Sequence, residues 1–418
     1  MCTLYRVHVK IIMTNKKKIY YGWWVSLAGS FNTFISSIPT FTGGSIIFKA
    51  IEDEFGWSRA IVSGVSSFGR FGGALLGPVE GYLSDRFGAW KMILLGFIIA
   101  SLGLFWLSTI NSILFYYISY LVVSIGVSIG GFVPSMATVN VWMPHKRSTA
   151  MSWVIGGSSI GGFFMPFMVY SIEEYGWRLT MVILGIIFLI SGPIISLVMR
   201  KKPDISILEK IKSNPKVIAN SNMSPKDALK TQPFWILAFS HFFANISVGA
   251  ISAHIFLYLT DTNGVNLSVI AAGTILPIMF MFNFLGQISG GLIGDMFNKK
   301  ILIPIFLIIQ SLAIIILAYS NSYFLVIIFC IIYGVGFGMR TPIFHAFRGD
   351  FFGGTHYGTI LGLNAFPMGI GMMAAPVIVG YLYDTYNSYF YSLLVMSLLC
   401  ALSCFLIVII KSPNKIKQ

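Results

Sequence analysis

Two arginines stand in stretches that otherwise hold no charge. Arg70 lies in Phe68-Gly69-Arg70-Phe71-Gly72-Gly73, and Arg340 in Gly336-Phe337-Gly338-Met339-Arg340-Thr341-Pro342. A guanidinium keeps its proton at any accessible pH, so in apolar surroundings each needs an acid, backbone carbonyls or an anion from solution. Pro342 frees a carbonyl one turn back, and the Arg340 fork can take either that carbonyl or a carboxylate. Two such cations would clamp a small anion; the alternative for each is a structural arginine bonded to carbonyls. Asn32, Asn283, Gln287 and Asn364 are uncharged polar residues in similar settings. They can line a path for a solute or hydrogen-bond between elements, and Asn283 and Gln287 share one helical face at i,i+4.

Moving a proton needs a group that changes charge. His254 is the candidate; His241, thirteen residues earlier, is about 20 Å away along a helix and cannot pair with it. No Asp or Glu falls in the middle of an apolar stretch. Cys330, Cys400 and Cys404 read as small buried thiols, and no Cys/His cluster has metal-ligand spacing. Neither a metal nor a cofactor is expected, and no catalytic constellation is present.

A second group of residues recurs along the chain. Gly81, Asp85, Arg86, Gly88 and Lys91 form one copy, and Gly291, Asp295, Lys299 and Lys300 form a degenerate second copy. Glycine allows close approach of two helices. The aspartate can bridge to basic residues or to the N-terminus of a neighbouring helix. Both copies are expected to be gating loops, with Glu80 joining the first; the alternative is a helix-capping turn that binds lipid headgroups.

The elements carrying these residues are set by composition: 56% of the 418 residues are hydrophobic and 10% charged, where a soluble domain has roughly 25% charged. Blocks long enough to cross a bilayer, about 20 residues each, fall near 21–48, 60–82, 91–109, 113–139, 149–170 and 179–199. Six more follow near 233–259, 268–293, 301–319, 323–347, 357–381 and 388–410. The expected fold is therefore an all-α polytopic membrane protein of twelve transmembrane helices in two pseudo-symmetric six-helix bundles. Its expected parts are a cytoplasmic segment 1–19, bundles 20–199 and 232–410, a linker 200–231 and a tail 411–418. The first block is too long and lacks the cleavage site of a signal peptide, and Met13, just before Lys16, Lys17 and Lys18, is an alternative start.

Charge sets an orientation. Twenty-three of the 28 Lys and Arg residues, Arg348 among them, fall in segments that alternate onto one rim. The positive-inside rule puts that rim, with both termini, in the cytoplasm, of a plasma membrane (a bacterial inner membrane). The net charge of +14 then faces anionic lipid, and no basic patch is left for nucleic acid.

The loop motif resembles the G-x-x-x-D-R/K-x-G-x-R/K-R/K pattern of the major facilitator superfamily, with Trp90 at a position usually basic. The resemblance covers about residues 20–410. It implies two halves around one central cavity and passage of a solute by alternating access. Within that superfamily the chain resembles the monocarboxylate-transporter-like and oxalate/formate-antiporter-like group. The resemblance rests on Tyr21-Gly22-Trp23, Phe55-Gly56-Trp57-Ser58-Arg59, Tyr175-Gly176-Trp177-Arg178 and the run from Phe351 to Gly362. It implies a small organic anion as partner, moved with a proton or in exchange for another anion by a protein working as a monomer. The group's oxalate transporter holds its dianion with an arginine in helix eight and a lysine in helix eleven. Gln287 and Asn364 stand at those places here, which argues against the same dianion. The alternatives are drug efflux by proton antiport, for which the Gly156–Pro166 run is only a partial match, and a non-transporting sensor.

Overall fold

The computed structural model describes residues 20–39, 44–201 and 223–410. The basic N-terminal segment, most of the linker and the tail lie outside the described residues. The helices are α1 (Tyr21–Ser37), α2 (Gly44–Phe55), α3 (Arg59–Phe87), α4 (Ala89–Leu107), α5 (Ile113–Gly130), α6 (Phe132–Trp142), α7 (Arg147–Gly162) and α8 (Met165–Met199). They continue as α9 (Pro225–Leu229), α10 (Gln232–Thr260), α11 (Val269–Met296), α12 (Lys299–Ala318), α13 (Tyr323–Phe352), α14 (Tyr357–Tyr386) and α15 (Phe390–Ile409).

Nine helical segments among the described residues are long and apolar enough to cross a membrane. The other crossings are of kinds that such a criterion misses. The first holds α1, whose described helix has 17 residues, and α3 is diluted by Arg70, Glu80, Asp85, Arg86 and its glycines. The fifth runs from α7 into the start of α8, where Gly176, at φ 77°, breaks the helix before the sixth crossing. Among the nine, the fourth crossing bends at Gly131, between α5 and α6. The result is an all-α polytopic membrane fold.

The duplication is more regular than the loop motif alone suggests. Ser58 and Ser268 cap the starts of α3 and α11, and Ser112 and Ser322 cap α5 and α13. Each hydroxyl accepts a backbone N–H that the helix leaves unpaired. Asp85 and Asp295 end α3 and α11, and Thr149 and Thr359 begin α7 and α14. Every one of these pairs is separated by 210 residues.

Large apolar side chains such as Leu102, Phe167, Leu197, Phe324 and Phe405 point outward, as lipid requires. Inside, packing and short polar ties hold the helices, since lipid tails supply no hydrophobic drive between them. Phe97, Tyr116, Trp177 and Phe188 anchor one core, and Phe329, Tyr333 and Met396 another. Ser311 meets Ser397 at 2.9 Å and Ser240 meets Ser403 at 2.8 Å, tying α12 and α10 to α15. Cys330, Cys400 and Cys404 are free and buried in these contacts.

Candidate functional site

The hydrogen bonds that join residues 20–199 to 232–410 gather at the face carrying Arg86, Lys91, Arg147, Lys299 and Lys300, and at mid-bundle. The strongest are two matching brackets. Asp85 accepts from the backbone N–H of Gly358 (3.1 Å) and Thr359 (2.7 Å) and from the Thr359 hydroxyl (2.6 Å), all at the start of α14. Asp295 does the same at the start of α7, with Ser148 N–H (2.9 Å), Thr149 N–H (2.9 Å) and the Thr149 hydroxyl (2.7 Å). Each carboxylate satisfies two unpaired N–H groups of a helix in the other half and sits at the positive end of its dipole. The recurring aspartates thus bind helix starts, and the basic residues beside them do other work. Arg86 donates to the Tyr82 hydroxyl at 2.7 Å, Lys91 lies 5.5 Å from the Trp90 ring, and Lys299 pairs with Asp350 at 2.9 Å. Lys300 contributes its backbone N–H to the Asn298 cap (3.0 Å). Gly88, at φ 91°, makes the turn into α4.

The brackets require the helices to touch backbone to backbone. A Cβ on Gly81 would sit 2.1 Å from the Gly358 carbonyl oxygen, and one on Gly362 would sit 2.0 Å from that of Gly77. Gly291 is pressed in the same way on Ser152 of α7, 2.3 Å from its hydroxyl. Arg147 also binds Asp350 at 2.9 Å, and the Asn140 amide donates to the Gly353 carbonyl at 3.0 Å. Beside the Asp85 bracket a groove of about 510 Å³ is lined by Arg86, Lys91, Arg200 and Lys201.

Two turns deeper than Asp295, the Ser159 hydroxyl donates to Gln287 Oε1 (3.0 Å), and Gln287 Nε2 donates to Asn283 Oδ1 (2.6 Å). The i,i+4 pair therefore also bridges α7 and α11. Asn32 is fully buried and its amide is spent: Nδ2 donates to the Gly130 carbonyl (2.8 Å) and Oδ1 accepts from Ser36 (3.1 Å). Asn364 donates to the Ile360 carbonyl at 3.3 Å, leaving its Oδ1 without a partner. Arg70 lies on α3, and its side chain lies outside the described residues. Arg340 is 1% exposed, and its three guanidinium nitrogens have no hydrogen-bond partner. Helix α13 runs unbroken past Pro342, and the expected fork to a freed carbonyl does not form. Glu80 is buried with Oε1 unpartnered and faces Ser128 of α5, away from the Asp85 bracket. His254 Nε2–H reaches the Pro376 carbonyl at 3.0 Å, with the Tyr389 hydroxyl 3.4 Å from Nδ1.

Arg348 corrects the sequence reading. Expected on the basic rim, it is 0% exposed, because α13 continues to Phe352 and carries it inward. There it meets His345 on its own helix and His241 on α10. His241 cannot pair with His254, but it does pair, through Arg348, with a histidine that sequence reasoning overlooked. The available signal was the i,i+3 spacing of His345 and Arg348, one turn beyond Pro342.

On the opposite face, two of the aromatic–glycine motifs prove to be one structure. Phe55 stacks on Trp57 (4.4 Å between centroids), and Trp177 lies 6.5 Å from Phe55. Gly56 and Gly176 supply positive φ angles of 66° and 77° at the two turns, which few other residues tolerate. Glu54 accepts from Trp177 Nε1–H at 2.6 Å and from Arg178. The Arg178 hydrogen bond holds the Glu54 carboxyl below its ordinary range, against the opposing effect of burial. A lowered folded value means stabilisation that is complete above the unfolded carboxylate range, near pH 4.3, and lost as pH falls through the lower folded value. Glu54 is 39% exposed, so the effect is small. Glu54→Gln is expected to lower Tm by about 1–2 °C at pH 7, and the gap to the wild type should close on acidification. A gap constant from pH 7 to pH 3 would refute an ionic contribution.

A family model described as Major Facilitator Superfamily matches residues 27–339 and 263–418. Monocarboxylate transporter 12 of Xenopus laevis is 25% identical over 427 residues, spanning 95% of this chain and 90% of its own. The crystal structure of the transporter FucP in the outward conformation superposes with a TM-score of 0.71 at 14% identity, over 93% of this chain and 98% of that one. That of the human organic anion transporter MFSD10 gives 0.70 at 15% identity, over 93% and 99%.

Proposed function

Because the chain belongs to the major facilitator superfamily, and so is a secondary transporter of a small solute by alternating access, we propose that its solute is a small organic anion of monocarboxylate type. The anion crosses the plasma membrane with a proton or in exchange for another anion. The observation that carries the transport cycle is the pair of aspartate brackets. Each is a compact set of hydrogen bonds between halves. Breaking both frees one face, and remaking them closes it. The basic residues around the brackets support a cytoplasmic position for that face and for both termini.

Three features support the anion. A relative called a monocarboxylate transporter aligns over nearly the whole chain. Arg340 and Arg348 are buried without an acid paired to either among the described residues. Arg70 is a further cation on an apolar helix, and we assign it with Arg340, Asn283, Gln287 and Asn364 to the path; Asn32 supports it through α5.

Purified protein in proteoliposomes tests the reading by counterflow of labelled lactate, pyruvate, formate, acetate and oxalate against neutral sugars. Saturable monocarboxylate counterflow, faster with an inward proton gradient if coupling is symport, is the expected result. Saturable flux of neutral solutes alone would overturn it.

A further inference from the structure

One group of buried side chains has no part in the brackets. Arg348 Nη1 lies 3.1 Å from His345 Nδ1, and Nη2 lies 3.2 Å from His241 Nδ1. A guanidinium can only donate. Both Nδ1 atoms are therefore acceptors, and both rings are neutral with their proton on Nε2. Arg348 Nε has no partner, and neither does any nitrogen of Arg340, about 12 Å further along α13. Among the described residues no carboxylate pairs with either arginine.

The surroundings are specific. Helix α13 itself supplies His345, Arg340 and Asp350, the last already spent on Arg147 and Lys299. Helix α10 supplies His241, whose ring stacks on Phe344 at 4.6 Å. Helix α14 supplies Tyr357, whose hydroxyl donates to the His345 carbonyl at 3.0 Å and accepts from Arg348. From the other half, Phe132 on α6 meets the His345 ring edge-on at 5.3 Å. One turn on, a Cβ at Gly349 would lie 2.3 Å from Asn140 Oδ1. The group thus lies directly behind the seam between the halves, under the brackets. A lone buried guanidinium is costly to keep. This one keeps donor capacity in reserve, beside two rings that can each take a proton only when Arg348 releases them.

We propose that Arg348, His241 and His345 form an inner site for the carboxylate of the transported anion, reached when the basic face opens, and that the carboxylate binds there together with one proton. The proposal rests on the transport reading above and names its coupling site. Parting the halves withdraws Phe132 and uncovers His345. An arriving carboxylate takes the two Nη–H donors in a fork. The lone pair freed on His345 or His241 Nδ1 then takes up a proton from hydronium or buffer acid in the entering solution, and the carboxylate balances the new imidazolium. Without the anion, that proton would set a second cation against Arg348 and remove its acceptor. Anion and proton stabilise one another, which is the requirement for symport.

Calorimetric titration of the purified full chain with pyruvate, in two buffers of different ionisation enthalpy, reads affinity and proton uptake together. The wild type is expected to take up about one proton per pyruvate bound. Arg348→Gln is expected to bind at least about 30-fold more weakly. The double variant His241→Gln with His345→Gln should still bind pyruvate while losing the proton uptake. Unchanged affinity in Arg348→Gln, or unchanged proton uptake in the double variant, overturns the proposal. If Arg348→Gln does not fold, Arg348→Lys decides. It keeps the charge and loses the two-ring fork, so unchanged affinity and proton uptake there are equally fatal. Binding with proton uptake but no carboxylate flux in proteoliposomes would sink the transport reading and leave the site standing. No binding of pyruvate, lactate, formate or acetate by the wild type would remove the site.

Discussion

Exchanging both bracket aspartates, Asp85→Asn with Asp295→Asn, is expected to open the basic face in most molecules. Each carboxylate takes three hydrogen bonds from the opposite half, two of them from a helix start. Hydrogen bonds to a charged group contribute about 1.5–3 kcal/mol, and the helix dipole adds up to about 2 kcal/mol in partly buried geometry. An asparagine keeps the shape but loses the charge and can place only one acceptor oxygen. Taking about 2 kcal/mol per bracket, the double variant moves the ratio of the two states by about a thousandfold. The single variants should each move it by the square root of that factor, because the brackets hold different pairs of helices and add independently. A cysteine at Ala346, buried at the seam, reports the change. With Cys2 replaced, its labelling by a membrane-impermeant maleimide should rise at least about tenfold in the double variant. Labelling as slow as in the parent protein would mean that the brackets do not hold the face shut.

Gly362→Leu is expected to have the opposite character. Its Cβ would fall 2.0 Å from the Gly77 carbonyl oxygen, and that atom is backbone, so no side chain can turn aside. Forcing such an overlap costs about 1–3 kcal/mol or more even when helices shift, and here a shift undoes the Asp85 bracket. The closed basic face becomes unreachable while each half keeps its own core. Counterflow should fall by about two orders of magnitude with the protein still monodisperse. Gly156→Ala is the matched control. Its new methyl would meet only side chains, Phe284 at 3.3 Å and Ile288 at 3.8 Å, and flux should change less than about threefold. Retained flux in Gly362→Leu would show that the cycle does not need α3 and α14 to touch at this depth.

The same glycines and aspartates explain how far the sequence could be read. Blocks of about 20 apolar residues with sparse charge leave helices as the only way to satisfy backbone groups in lipid. Six and six blocks, with one motif placed twice, then imply a duplicated bundle. The spacing Gly81 to Asp85 and Gly291 to Asp295 marked both brackets, because a bare backbone beside an acid is conspicuous at a helix end. The partner of each acid was not legible. Thr359 and Thr149 are unremarkable residues, and only folding brings the start of α14 to the end of α3, and the start of α7 to the end of α11.

Burial inside the bundle was the other matter left to the tertiary structure. Arg348 reads as a rim residue when its block is ended at 347, yet the helix carries on for another turn and turns it toward α10. Asn32 reads as either path lining or a tie between helices, and only the fold shows its amide bonded to Gly130 at the end of α5. His241 reads as solitary because its partner is 104 residues away. Composition and periodicity determine which segments lie in the membrane and how often the pattern repeats, since those follow from solvation along the chain. Which polar groups face one another across helices follows from packing between segments distant in sequence. That decided where the two brackets form and where the cation stands that the proposed anion would meet.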